Sequence, residues 1–136
     1  MTKVVDFCTK NGTIKPMSFD PKHSAPRLGV VFFRTVAGRE PVREWLKGLR
    51  REERRVIGEV IKTVQYGWPL GMPLIRKLEP GLWEVRSYFR QGIARVLFTV
   101  SGQVMVLLHG FIKNSQKTPR EELEIARQRL ADLEME

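Results

Sequence analysis

Three runs, Leu82-Trp-Glu-Val-Arg86, Ile93-Ala-Arg-Val-Leu-Phe-Thr-Val100 and Gln103-Val-Met-Val-Leu-Leu-His109, follow one another in a single stretch of the chain. Each is rich in β-branched, aromatic or large aliphatic side chains, which suit a pleated, half-buried strand. Ser101-Gly102 leaves room only for a tight hairpin turn between the last two, and residues 87–92 make a longer connection between the first two. Strands joined this closely pair antiparallel in sequence order, so the stretch is a meander.

Upstream, Val30-Val-Phe-Phe-Arg34 is another compact strand-like run, and Gly38-Arg-Glu-Pro41 turns the chain into a helix. Val42, Trp45, Leu46 and Leu49 then recur at helical spacing, and Gly48 with Arg50–Arg51 stops that helix near Leu49. A second helix over residues 52–66 carries Val56, Ile57, Val60, Ile61 and Val64 as one apolar stripe. Arg54, Arg55, Glu59 and Lys62 fall on its other faces and read as a solvated surface. Gly67-Trp-Pro-Leu-Gly-Met-Pro73 is too rich in glycine and proline to continue it.

Downstream of the meander, Thr118 is expected as an N-cap, Pro119 as the first helical residue and Glu121 as the partner in a capping box. The helix over residues 119–133 carries Leu123, Ala126, Leu130 and Leu133, a stripe that can lie on the sheet or on another chain. The order strand, helix, helix, three strands, helix predicts an α+β fold. Its small antiparallel sheet combines the N-terminal strand with the three-stranded meander and is packed by the helical pair, with a C-terminal helix. The domain spans residues 30–136. Residues 1–29 hold turn and extended signals and predict an irregular arm, with one short strand over residues 4–7 and Met17 as a second possible start.

A chain of 136 residues with 42% hydrophobic content is one domain with a real core. No apolar run reaches the roughly 18 residues of a membrane span, and no apolar leader opens the sequence, so no membrane partner and no secretory signal are expected. The single cysteine, Cys8, cannot close an internal disulfide, which fits a cytoplasmic protein, and it lacks the companions of a zinc site. Neither a glycine-rich phosphate loop nor a cluster of acidic residues is present, so no metal and no cofactor are expected. The net charge of +9 points to polyanion partners, nucleic acid first, with an acidic protein or an anionic membrane behind it.

The cations are placed where they can act together. Alternation along the first meander strand puts Leu82, Glu84 and Arg86 on one face, and along the second it puts Arg95, Leu97 and Thr99 on one face. One sheet face can therefore hold Arg86 and Arg95, and the third strand can add the His109 imidazole. Lys113 and Lys117 lie in the bend that follows, and Lys77 lies just before the first meander strand. Arg86 and Arg95 can equally pair with Glu84, His109 can be structural, and the two bend lysines can be solvated. Trp45, Trp83 and Phe98 read as core, and Trp68 can either stack a base or fold back on the core.

Lys77-Leu, Gly81-Leu-Trp-Glu-Val-Arg86, Ala94-Arg-Val-Leu-Phe98 and Phe111-Ile-Lys-Asn-Ser-Gln-Lys-Thr-Pro119 before a last helix resemble the RelE/ParE toxin superfamily, and most its HigB-like, phage-derived branch. The resemblance implies the toxin of a type II toxin–antitoxin pair: a ribosome-dependent, metal-independent endoribonuclease that cuts mRNA with the RNA's own 2′-OH and so inhibits translation. It implies a cognate antitoxin of helix-turn-helix type, with the ribosome and mRNA as further partners and DNA reached only through the antitoxin complex. Arg86, Arg95, His109, Lys113 and Lys117 are then the catalytic set, with His109 transferring protons because it alone titrates near neutrality. Lys77, Arg90, Asn114 and Gln116 are the RNA contacts. Leu82 and Glu84 stand where related enzymes carry lysines, and the last helix lacks their tyrosine. A gyrase-directed toxin of the ParE kind, or a non-catalytic homologue that only binds an antitoxin, shares the same fold.

Overall fold

The structure, a computed structural model, describes residues 25–69 and 74–134. The strand expected over residues 4–7 lies outside the described residues. Eight elements follow in order: β1 (Gly29–Phe32), α1 (Pro41–Lys47), α2 (Arg51–Gly67), β2 (Ile75–Glu79), β3 (Leu82–Phe89), β4 (Gly92–Ser101), β5 (Val104–Lys113) and α3 (Arg120–Glu134). The fold is α+β, with one five-stranded mixed sheet in the order β1-β5-β4-β3-β2.

Two features of the sheet depart from the expectation. β1 pairs with β5 in parallel, Val30 opposite Met105, so the sheet is not wholly antiparallel. Two helices and three strands separate these partners in sequence, and no local signal reports the direction in which distant strands meet. β2 is an added edge strand, antiparallel to β3, in a segment expected to be loop. Its five residues Ile-Arg-Lys-Leu-Glu carry three charges, which suits an exposed edge that must not recruit another strand. Their strand propensity is weak, and β3 supplies the missing pairing.

The sheet has two covered faces. On one, Val30, Phe32, Val85, Val96, Phe98, Met105 and Leu107 pack against Val42 and Leu46 of α1 and Ile57, Ile61 and Val64 of α2. Trp68 joins this side edge-on to Trp83, with ring centroids 5.2 Å apart, so the loop tryptophan folds back on the core. On the other face Val31, Leu82, Leu97, Val106 and Leu108 meet Leu123, Ala126 and Leu130 of α3. The α3 stripe therefore lies on the sheet. This helix opens at Arg120, and its first turn is closed by the Leu123 amide donating to the Pro119 carbonyl at 3.0 Å. Thr118, expected as its cap, donates its hydroxyl proton to Glu84.

Gly110 sits opposite Val96 under α1, and a Cβ built there would stand 2.4 Å from the Trp45 ring. The missing side chain is what lets α1 close on β5. A β-bulge lies just before it: Leu97 pairs with His109 and Phe98 with Leu107, leaving Leu108 as the extra residue. Strict alternation from the buried Leu107 would carry His109 to the α1–α2 side. The bulge turns both Leu108 and His109 toward α3.

Candidate functional site

The α3 side of the sheet presents three cross-strand rows. Arg76, Glu84, Leu97 and His109 form the first, Arg86, Arg95 and Phe111 the second, and Tyr88, Ile93 and Lys113 the third. The segment from Asn114 to Thr118 then folds back over the second row on its way into α3.

Its anchors are the two arginines. Arg86 Nε donates to Glu84 Oε1 at 2.8 Å, while its Nη1 donates to Gln116 Oε1 at 3.3 Å and its Nη2 to the Gln116 backbone carbonyl. Arg95 Nη1 donates to the Lys117 carbonyl at 3.1 Å. Thr118 Oγ1 donates to the second oxygen of Glu84 at 2.6 Å. Arg95 and Glu84 are both fully buried and Arg86 nearly so. Two guanidinium groups thus stand in adjacent cross-strand positions, and of the two only Arg86 bonds to the buried Glu84 carboxylate. Burial opposes the charge of Arg86, but its hydrogen bond to Glu84, with a contribution from Tyr88, outweighs it and raises its pKa. Arg95 is held below the usual arginine range, first by burial and then by Arg86. Its Nε and Nη2 have no hydrogen-bond partner among the described residues, and its guanidinium lies 5.7 Å from the centre of the Phe111 ring.

Beside this pair His109 is tied at both nitrogens. Nε2 lies 2.5 Å from Glu122 Oε1, and Nδ1 lies 3.3 Å from Arg129 Nη1. Arginine only donates, so Nδ1 must accept, and the Nε2 proton must point at the carboxylate. Burial lowers the His109 pKa, Glu122 pushes back and Arg129 adds to the depression, with a net shift below its ordinary value. These surroundings favour the neutral imidazole. Glu122 also takes Lys113 Nζ at 3.0 Å. Desolvation alone would raise the Glu122 carboxyl, but His109 and Lys113 bring it below the normal range.

The other predicted residues distribute as follows. Lys113 is half-buried at the end of β5, while Asn114, Gln116 and Lys117 are exposed in the covering loop and Arg90 in the β3–β4 turn. Lys77 is not with them. It pairs with Trp83, its ammonium 5.9 Å from that ring on the α1–α2 side, because β2 is a strand and position 77 points away from Arg86. Arg76, and not Lys77, stands on the α3 face, opposite Glu84. Glu84, Glu122 and Arg129 were not singled out as site residues. One signal was available: Glu122, Ala126 and Arg129 share the i, i+4, i+7 face of α3, so two charges interrupt the apolar stripe. Among the described residues no group of three His, Cys, Asp or Glu could hold a metal ion.

Residues 44–131 match the family described as Phage derived protein Gp49-like (DUF891). The chain belongs to that family. It is a toxin-like family of toxin–antitoxin systems, related to RelE and HigB. Its members are paired with an antitoxin. The matched span runs from within α1 into α3 and contains every residue of the three rows. No curated protein matches the chain. No helix among the described residues is long and apolar enough to cross a membrane.

Proposed function

We propose that this chain is the toxin of a type II pair and cleaves mRNA on the ribosome, using the RNA's 2′-OH as nucleophile. The observation that carries the reading is Arg95, a fully buried guanidinium with two nitrogens unpaired among the described residues, beside a second arginine. A desolvated cation without its own carboxylate costs stability, and such groups concentrate where their charge is used. A phosphate passing through a phosphorane gains negative charge that Arg86 and Arg95 are placed to hold, with Lys113 and Lys117 adding field from the rim. Arg95 would reach the phosphate through Nε and Nη2 as the covering loop shifts. His109 takes the 2′-OH proton at Nδ1 once Arg129 has moved aside, and the departing 5′-oxygen takes a proton from water. The 2′-oxygen replaces the 5′-oxygen on phosphorus, so fragments carry a 2′,3′-cyclic phosphate and a free 5′-hydroxyl.

A second reading has its own support. Both nitrogens of His109 are engaged, and Arg86 and Arg95 are spent on loop carbonyls. That arrangement suits a rigid module that binds an antitoxin without catalysis. Inducing the chain in bacteria and mapping mRNA 5′ ends separates the readings. New 5′-hydroxyl ends within translated frames are expected, with growth arrest that the antitoxin relieves. Intact transcripts with arrested DNA replication point to gyrase and defeat the nuclease reading. Unimpaired growth with intact antitoxin binding leaves the binding module.

A further inference from the structure

In the outermost row of the α3 side, Tyr88 and Ile93 have no role in the chemistry above. Tyr88 is 62% exposed, although tyrosine on a strand ordinarily packs its ring against neighbours. It shares its sheet face with Arg86, two residues back on β3, roughly 7 Å along the strand. Ile93, buried at 6% exposure, lies across from it and supports the ring's inner edge. Lys113 completes the row with its side chain 40% exposed, and Arg90 stands exposed in the turn that follows Tyr88. A flat aromatic face is thus presented to solvent among three cations, beside the row that holds the buried arginine pair.

We propose that Tyr88 is a nucleobase-stacking residue for single-stranded RNA, seating a base next to the phosphate held at Arg86 and Arg95. Single-strand sites combine cations that follow the backbone with aromatic faces on which bases stack, because every base offers a π face whatever its sequence. Backbone charge is met here by Arg86, Arg90 and Lys113, and the ring lies within a nucleotide's span of the inner row. An acidic peptide would use the same cations, but its carboxylates gain nothing from a bare ring face. The inference rests on the proposed RNA reading and adds a position outside the catalytic set.

The test is a cycle between the ring and a base. A fluorescein-labelled RNA of about eight nucleotides, its 2′-oxygens methylated to block cleavage, is titrated by anisotropy against wild type, Tyr88→Phe and Tyr88→Ala. The same RNA is then offered with one abasic position at a time. Tyr88→Ala is expected to weaken binding about 5- to 100-fold and Tyr88→Phe by less than about twofold. One abasic position should cost the wild type as much as Tyr88→Ala does, and should cost Tyr88→Ala nothing further. An unchanged urea midpoint for Tyr88→Ala shows that the fold is intact. Wild-type affinity in Tyr88→Ala, a Phe variant as weak as the Ala variant, or an abasic penalty that persists without the ring each overturns the stacking role, and salt-sensitive binding by the wild type then leaves the RNA reading standing. Loss confined to an acidic peptide assigns the surface to a protein partner and also overturns it. Wild-type protein that fails to bind the RNA even at low salt defeats both.

Discussion

Replacing Arg95 with methionine should leave the fold about as stable as the wild type, or more so, while removing activity toward RNA. Among the described residues the fully buried side chain has one hydrogen bond, from Nη1 to the Lys117 carbonyl, and a contact with the Phe111 ring. The charged hydrogen bond is worth about 1.5–3 kcal/mol, and a desolvated cation–π contact about 1–2 kcal/mol. Against these stand two orphaned donors, Nε and Nη2, each costing about 1–3 kcal/mol. Proximity to Arg86 adds repulsion that methionine relieves. Methionine keeps most of the buried stem, and water can satisfy the Lys117 carbonyl because that loop is exposed. The balance lies within about 2 kcal/mol of zero, as measured for other buried ionic groups replaced by apolar ones. Urea unfolding read by fluorescence of Trp45, Trp68 and Trp83, which pack on the larger core, gives the midpoint and slope. A loss above about 3 kcal/mol at unchanged slope refutes the reasoning and makes Arg95 a structural anchor. Undiminished toxicity in a stable Arg95→Met protein refutes its role at the phosphate.

Gly110→Ala should destabilise the protein by about 1–3 kcal/mol, since the new methyl meets the Trp45 ring at 2.4 Å; the same unfolding assay checks it, and pairing it with Trp45→Leu should recover part of the loss. Stability should fall as pH drops through two windows. His109 has its folded pKa below the ordinary 6.5, so the unfolded chain takes up its proton first and stability declines from about pH 6.5 downward. Glu122 has a lowered folded pKa, so its contribution is present above the ordinary carboxylate range and is lost as pH falls through the folded value. His109→Gln should flatten the upper window and narrow the lower, because His109 is one of the groups that lower Glu122; an unchanged upper window would show that another group titrates there.

Much of this architecture was legible in local pattern. The strands β3 to β5 announce themselves by β-branched composition and short connections, and α2 by the stripe of Ile57, Ile61 and Val64. The shared face of Arg86 and Arg95 follows from alternation alone, and their cross-strand pairing agrees with it. Alternation failed where a long-range partner intervened. Lys77 was expected in a loop near the cations, but β3 draws its segment into the sheet as an edge strand facing the other way. His109 reaches α3 only because the bulge at Leu108 breaks the period of two.

The partners of the cations were decided entirely by tertiary structure. Sequence by itself determined that a basic, strand-rich α+β domain would carry two arginines on one face and end in a cationic bend before a helix. It could not determine that the bend folds back and spends those arginines on the carbonyls of Gln116 and Lys117. Nor could it determine that Glu122 and Arg129, seven residues apart on α3, hold His109 between them. The physical reason is range. Backbone period and side-chain size act between neighbours in sequence, whereas burial of a charge and the identity of its partner arise only when distant segments exclude water together.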